Sequence, residues 1–228
     1  MNAATPQPSV RGRFAPTPSG PLHFGSLVAA FASALDARSR GGEWLLRIDD
    51  VDRARRVSGA AEAILDDLEA YGFVRDGAVR RQGDRSARYR RAVDTLLARG
   101  RAFPCACSRR EVAHGSQDGR YPGRCRNGVP QGKTARSVRL LAADETIEFD
   151  DRFAGHIEQN LAGEVGDFVL WRADGIASYH LATVLDDAED GITHVVRGAD
   201  LLASTPRQIC LQRLLGLPTP TYAHVPLV

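Results

Sequence analysis

The residues from Arg13 to Ser26 (Arg-Phe-Ala-Pro-Thr-Pro-Ser-Gly-Pro-Leu-His-Phe-Gly-Ser) are of the types that hold an anion. Pro16, Pro18 and Gly20 cannot continue an extended run, Thr17 and Ser19 add hydroxyls, and His23 and Ser26 stand where the apolar spacing turns helical. A loop that enters a helix in this way aims free backbone N–H groups and the positive end of the helix dipole at a phosphate or carboxylate. The pattern is neither the G-x-G-x-x-G of dinucleotide sites nor the G-x-x-x-x-G-K-[ST] of P-loops. A second group of reactive side chains is Cys105, Cys107 and Cys125. Thiols so clustered in a chain without secretory features read as metal ligands before they read as disulfides, with zinc the default metal. His114 and Tyr121 are the local candidates for a fourth ligand, and on general chemistry the imidazole of His114 is the commoner donor. Cys210 shares a helical face with Ile209 and Leu214 and is expected in the core.

These groups need elements to position them. An extended run from Val10 stops at the proline-rich loop, and a helix follows with Leu27, Val28, Phe31 and Leu35 on one face until Gly41-Gly42 closes it. Trp44–Ile48 reads as a second buried strand, completing a βαβ unit whose strand ends carry Asp49, Asp50 and Asp52 toward the ligand crevice. Gly59–Tyr71 and Ala87–Arg99 have the period of packing helices. Arg75, Arg80, Arg81, Arg85, Arg88, Arg90 and Arg91 lie along them, and with only Tyr89 interleaved they read as a solvated face rather than a base-stacking RNA platform. Short extended stretches between Ser137 and Trp171 suggest a small mixed insertion ordered by the metal. A helix over Ser178–Asp187, a strand over Ile192–Asp200, a helix from Ser204 to Leu215 and a strand from Tyr222 complete a second half-sheet.

With 228 residues and 43% hydrophobic composition the chain can bury a substantial core. No apolar run reaches membrane-spanning length and residues 1–9 do not look like a signal peptide, so a cytoplasmic protein without a membrane partner is expected. A net charge of +2 is too mild to establish nucleic-acid binding. Of the 30 basic residues only Lys133 is lysine.

His23-Phe24-Gly25-Ser26 resembles the first signature of class I aminoacyl-tRNA synthetases, with Ser26 in place of its second histidine, and the run from Arg13 to Gly20 resembles the glutamyl branch of that class. Tyr179-x-x-Ala182-x-x-x-Asp186-Asp187 and His194-Val195-x-Arg197-Gly198-x-Asp200 resemble the same branch. The resemblance implies an α/β, Rossmann-like class I synthetase catalytic domain with a small zinc-containing α+β insertion. Its parts would be 9–102 for the first half of the nucleotide-binding domain, 103–177 for the insertion, and 178–228 for the second half. It implies a ligase that uses ATP with Mg2+ to activate L-glutamate as glutamyl-adenylate. His23 and Ser26 would be catalytic, acting on the phosphoryl oxygens. Pro18, Gly20, His23, Gly25 and Ser26 would bind ATP, while Arg13, Phe14, Ala15, Pro16, Thr17, Asp49, Tyr179 and Arg197 would bind glutamate. Asp49 is one methylene shorter than the glutamate usual in the branch. Arg197, at a strand end, could grip the side-chain carboxylate with both arms of its fork and refuse an amide.

Cys-x-Cys followed by Tyr-x-x-x-Cys is similar to small members of the branch, so that resemblance selects Tyr121, with Cys105, Cys107 and Cys125, over His114 for Zn2+. Those members transfer glutamate to the queuosine base of tRNA(Asp), the acceptor expected here, and act as monomers in our expectation. The alternatives are a truncated glutamyl-tRNA synthetase that charges the 3′ end of tRNA(Glu), and a non-catalytic zinc-stabilised RNA-binding paralogue. The second class signature, with its triphosphate-binding lysine, does not occur up to Val228, and further sequence beyond that residue is expected.

Overall fold

The computed structural model describes residues 10–116 and 118–228. Residues 1–9, on which the expectation about a signal peptide falls, and Gln117 lie outside the described residues. The chain begins with strand β1 (Arg11–Phe14), helix α1 (Phe24–Arg38) and strand β2 (Glu43–Ile48), and β1 pairs parallel to β2, as a βαβ unit requires.

Helix α1 differs from its expected orientation. Its buried residues are Ala30, Ser33 and Ala37, while Phe31 and Leu35 are exposed. Small side chains let the helix lie close to the sheet: a Cβ on Gly12 would stand 3.3 Å from the Ala37 Cβ. Apolar periodicity alone could not identify this face, because the helix contacts backbone rather than filling a gap.

Next come α2 (Ala60–Ala70), β3 (Arg80–Arg81), α3 (Ser86–Ala98), β4 (Ala102–Cys105) and α4 (Arg109–His114). Ile64 and Leu68 are buried on α2, and Tyr89, Val93 and Leu96 on α3. Ser108 starts α4 through a capping box with Glu111.

The remaining elements are β5 (Ser137–Leu140), β6 (Thr146–Asp151), β7 (Gly155–Asn160), β8 (Val169–Trp171), α5 (Tyr179–Glu189), β9 (His194–Gly198), α6 (Thr205–Leu215) and β10 (Thr221–Val225). Strand orders are β1-β2-β3, β7-β6-β10-β9 and β4-β5-β8. The first two sheets meet where Thr193 N donates to Arg11 O at 2.9 Å, which sets β9 beside β1.

The hairpin β6-β7 does not join the small sheet β4-β5-β8. It extends the β9-β10 sheet through β6, with Tyr222 opposite Asp151. One core runs from Tyr89 and Val93 through Leu140, Ile147 and Leu170 to Leu181, Val195, Ile209 and Tyr222. A second core, between α1, β2 and α2, is centred on Trp44, Ile48 and Ile64.

Candidate active site and metal centre

A cavity of about 1000 Å³ opens between the β1–α1 loop and the C-terminal ends of β2, β9 and β10. Arg13, Phe14, Ala15, Pro16, Thr17, Gly20, His23, Gly25 and Ser26 line it on one side, with Asp49, Tyr179 and Arg197 on the others. The structure thus brings together residues separated by most of the sequence. Pro18 is not among the lining residues; its carbonyl accepts from Val57 N at 2.9 Å and ties the loop to the start of α2.

His23 is the N-cap of α1, and its Nδ1 accepts from Ser26 N at 3.3 Å. The imidazole therefore occupies one of the free N–H groups of the helix end while remaining exposed to the cavity. A Cβ on Gly25 would stand 3.2 Å from the His23 ring, so glycine keeps that ring close to the helix.

Beneath the cavity lies a buried charged layer that the sequence did not reveal. Arg13 donates through Nε and Nη2 to the Asp187 carboxylate at 3.2 to 3.3 Å. Arg47, fully withdrawn from water inside β2, donates through Nε to Asp49 at 2.7 Å and through Nη1 to Asp187 at 2.7 Å. Burial alone would raise the Asp187 carboxyl, but Arg13 and Arg47 hold it below the usual carboxylate range. For Asp49 burial dominates and pushes the carboxyl up to about 6, with Arg47 opposing. Arg47 within an otherwise apolar strand was the one signal available: a charge there must have buried partners.

Arg197 departs from the two-armed grip expected of it. Nε donates to His224 Nε2 at 3.0 Å, and Nη2 donates to Thr205 Oγ1 and Gln208 Oε1, each at 2.8 Å. Nη1 reaches the Tyr179 hydroxyl at 3.3 Å and has a second N–H left over. The fork is thus engaged by the protein itself. What remains without a protein partner is one Nη1 N–H, beside the Tyr179 hydroxyl. His224, Thr205 and Gln208 were missed because each looks like an ordinary strand or helix residue until three elements meet.

Among the described residues the basic group on α3 and its approach is mostly paired. Arg80 and Arg85 contact Asp190 and Asp186, Arg81 contacts Glu62, Arg88 contacts Glu189, and Arg90 contacts Asp94. It is a carboxylate-matched face.

On the far side of the small sheet, Cys105, Cys107 and Cys125 lie with all their sulfurs within 4.8 Å of one another and could hold a metal ion. Strand β4 fixes Cys105, and the Tyr121 hydroxyl sits among the thiols, 3.4 Å from Cys105 Sγ and 3.6 Å from Cys107 Sγ. His114 is exposed and its Nδ1 is engaged with Arg110 O at 2.8 Å. Cys210 is buried on α6, away from the cluster.

Comparison with known proteins agrees with this geometry. Residues 9–228 match the family described as "tRNA synthetases class I (E and Q), catalytic domain", and the chain belongs to that family of ligases. The resemblance to the glutamyl branch is borne out by that match. Within it, a protein of Thiobacillus denitrificans named glutamyl-Q tRNA(Asp) synthetase is 58% identical over 221 residues, 95% of this chain and 73% of the relative. A Geobacter sulfurreducens protein of the same name is 54% identical, over 99% of this chain and 74% of its own length. A crystal structure of a glutamate tRNA ligase from Elizabethkingia meningosepticum, in complex with its amino acid, superposes with a TM-score of 0.86 at 31% identity. That match covers 97% of this chain and 50% of the ligase. No helix among the described residues is long and apolar enough to cross a membrane.

Proposed function

We propose that the protein activates L-glutamate with ATP and Mg2+ to glutamyl-adenylate and transfers the glutamate to the queuosine base of tRNA(Asp). The observation that carries this reading is the single cavity shared by the β1–α1 loop, Asp49, Tyr179 and Arg197. Its loop side suits a triphosphate and its far side suits an amino acid.

The glutamate side chain would enter between Arg197 Nη1 and the Tyr179 hydroxyl. The tyrosine accepts from Nη1 and turns its own proton to the second carboxylate oxygen. Both protein groups donate, so the amide N–H of glutamine meets a donor there and is refused. Asp49 would take the ammonium group, as a carboxylate buried beside Arg47 but open to the cavity. The α-carboxylate is then free to attack the α-phosphorus in line, expelling pyrophosphate. Bound Mg2+ would neutralise charge on the phosphate oxygens, a task shared with the N-terminus of α1, Ser26 and His23. Little proton transfer is required, so placing the two reactants is the main work of these residues.

Zinc is the metal that best suits the cysteine cluster. Tetrahedral zinc with bonds of roughly 2.3 Å to sulfur and 2.0 Å to oxygen puts sulfurs about 3.8 Å apart and sulfur about 3.5 Å from oxygen. The Cys107–Cys125 spacing is 3.8 Å, and Tyr121 Oη lies 3.4 and 3.6 Å from two thiols. Cys105, Cys107, Tyr121 and Cys125 would hold the ion, whose contribution is structural: it joins β4 to the following loop.

The test is glutamate-dependent ATP–pyrophosphate exchange, followed by labelling of tRNA(Asp) with and without queuosine. Labelling that survives removal of the 3′-terminal adenosine of the tRNA, and needs queuosine, is the expected result. The structural likeness to a glutamate tRNA ligase favours a second reading, charging of a tRNA 3′ end, which predicts that removing the terminal adenosine abolishes labelling.

A further inference from the structure

Arg197 is buried, yet among the described residues it has no carboxylate in contact. Its partners are an imidazole, a phenol, a hydroxyl, an amide oxygen and, at 3.5 Å, the Leu201 carbonyl. Arg13 and Arg47, also buried, are neutralised by direct contact with aspartates. A buried guanidinium without its anion is costly, and the cost is recovered when a ligand brings the charge.

An anion stands one ring away. Strands β9, β10 and β6 lie side by side, with Arg197 opposite His224 and Asp151 opposite Tyr222. His224 Nδ1 is 2.6 Å from Asp151 Oδ2. Arginine has donors only, so His224 Nε2 must accept from Arg197 Nε, and the ring proton must sit on Nδ1, facing Asp151. Thr205 Oγ1 accepts from Arg197 Nη2 and lies 3.2 Å from the same Nε2. The other Asp151 oxygen accepts three backbone N–H groups, from Phe153, Ala154 and His224, at 2.9 to 3.1 Å. The directions along Asp151, His224 and Arg197 are thereby determined.

We propose that Asp151 and His224 are positioning residues for glutamate selection: Asp151 holds the His224 tautomer, and His224 holds Arg197 with Nη1 turned to the cavity while leaving its charge for the substrate. The inference rests on the glutamate reading above. Because Asp151 belongs to the β6-β7 hairpin, a segment distant in sequence from the loop and from Arg197 sets the geometry of the amino-acid site.

The substitution Asp151→Asn places an amide between backbone N–H groups and the ring. Its NH2 must oppose one or the other, which drives the ring proton to Nε2, against Arg197. Two further variants separate positioning from packing. His224→Gln keeps an acceptor near Nε2, whereas His224→Asn keeps only the donor toward Asp151.

The experiment is calorimetric titration of the protein with glutamate, with melting temperature and the 15N shifts of His224 recorded alongside. Asp151→Asn and His224→Asn should weaken glutamate binding about 10-fold, and His224→Gln by about 3-fold or less. The Asp151→Asn spectrum should show the proton moved to Nε2. Unchanged glutamate affinity in both Asn variants, or equal losses in His224→Gln and His224→Asn, overturns the positioning role while leaving the glutamate reading intact. No glutamate binding by the unsubstituted protein overturns the glutamate reading itself.

Discussion

Arg47 Nε lies 2.7 Å from Asp49 Oδ1, and the two side chains keep only 1% and 6% of their surface in contact with water. This pair joins the floor of the cavity to the charged layer beneath it. Through Nη1 the same guanidinium also holds Asp187, which in turn holds Arg13. Strand β1, the end of β2 and helix α5 are therefore connected by one set of ion pairs.

Replacing Arg47 by methionine should destabilise the protein more than any single surface substitution. Asp49 and Asp187 would lose a direct partner while still buried, at a cost of about 3–5 kcal/mol. Chemical denaturation should show a lowered midpoint with little change in slope. Arg213→Met, which removes an exposed pair with Glu145, should cost about 0.5 kcal/mol or less.

Under the proposed function, Asp49 should make glutamate binding sensitive to acid. Its carboxyl is pushed by burial from 3.8 up to about 6, against the pull of Arg47. A raised folded-state value favours the protonated form in the folded protein. Its contribution to stability is thus present below 3.8 and lost as the pH rises through about 6. Binding runs the other way, since an ammonium group needs the carboxylate. KM for glutamate in pyrophosphate exchange should rise as the pH falls below about 6, and Asp49→Asn should flatten that profile while raising KM at neutral pH.

Metal analysis should find one zinc per chain, removed together with a fall in melting temperature on treatment with a chelator. Tyr121→Phe should weaken metal retention, and Cys125→Ser should abolish it. His114→Ala should leave the stoichiometry unchanged, because that imidazole is exposed and engaged with Arg110.

Under the proposed function, Tyr179→Phe removes one of the two donors offered to the glutamate side chain. Discrimination between glutamate and glutamine should fall by about 10-fold, with KM for ATP unaffected. Exchange assays with each amino acid measure it directly.

Gly42 marks a close approach that any side chain would violate. A Cβ there would stand 2.3 Å from Val10 O and 2.8 Å from Val10 Cβ, so Gly42→Ala should cost about 2 kcal/mol or more and lower the melting temperature.

Much of the cavity could be found from sequence because its parts are local signatures. The loop Arg13–Ser26 is marked by its prolines, hydroxyls and a helix start, and it forms one wall of the cavity. Arg197 and Tyr179 stand in recognisable runs at the start of a strand turn and a helix. The cysteine spacing likewise pointed to a metal, and the choice of Tyr121 over His114 came from resemblance, not from general ligand preference.

Local patterns misled where contact was made by small or polar residues. The apolar spacing puts Phe31 and Leu35 on the buried face of α1, but Ala30, Ser33 and Ala37 occupy it, since a helix seated close to a sheet excludes large side chains. Arg197 seemed free to offer its whole fork, yet Thr205, Gln208 and His224 already occupy most of it.

By itself, then, the order of residues determined the kinds of groups present and the elements that carry them, because propensity, turn chemistry and short motifs act over a few neighbours. Only the tertiary structure decided which of those groups remain available to a ligand. Hydrogen bonds and ion pairs are exclusive, and whether Arg13, Asp49 or Arg197 keeps a donor or acceptor free depends on partners such as Asp187, Arg47 and His224, brought from other strands and helices.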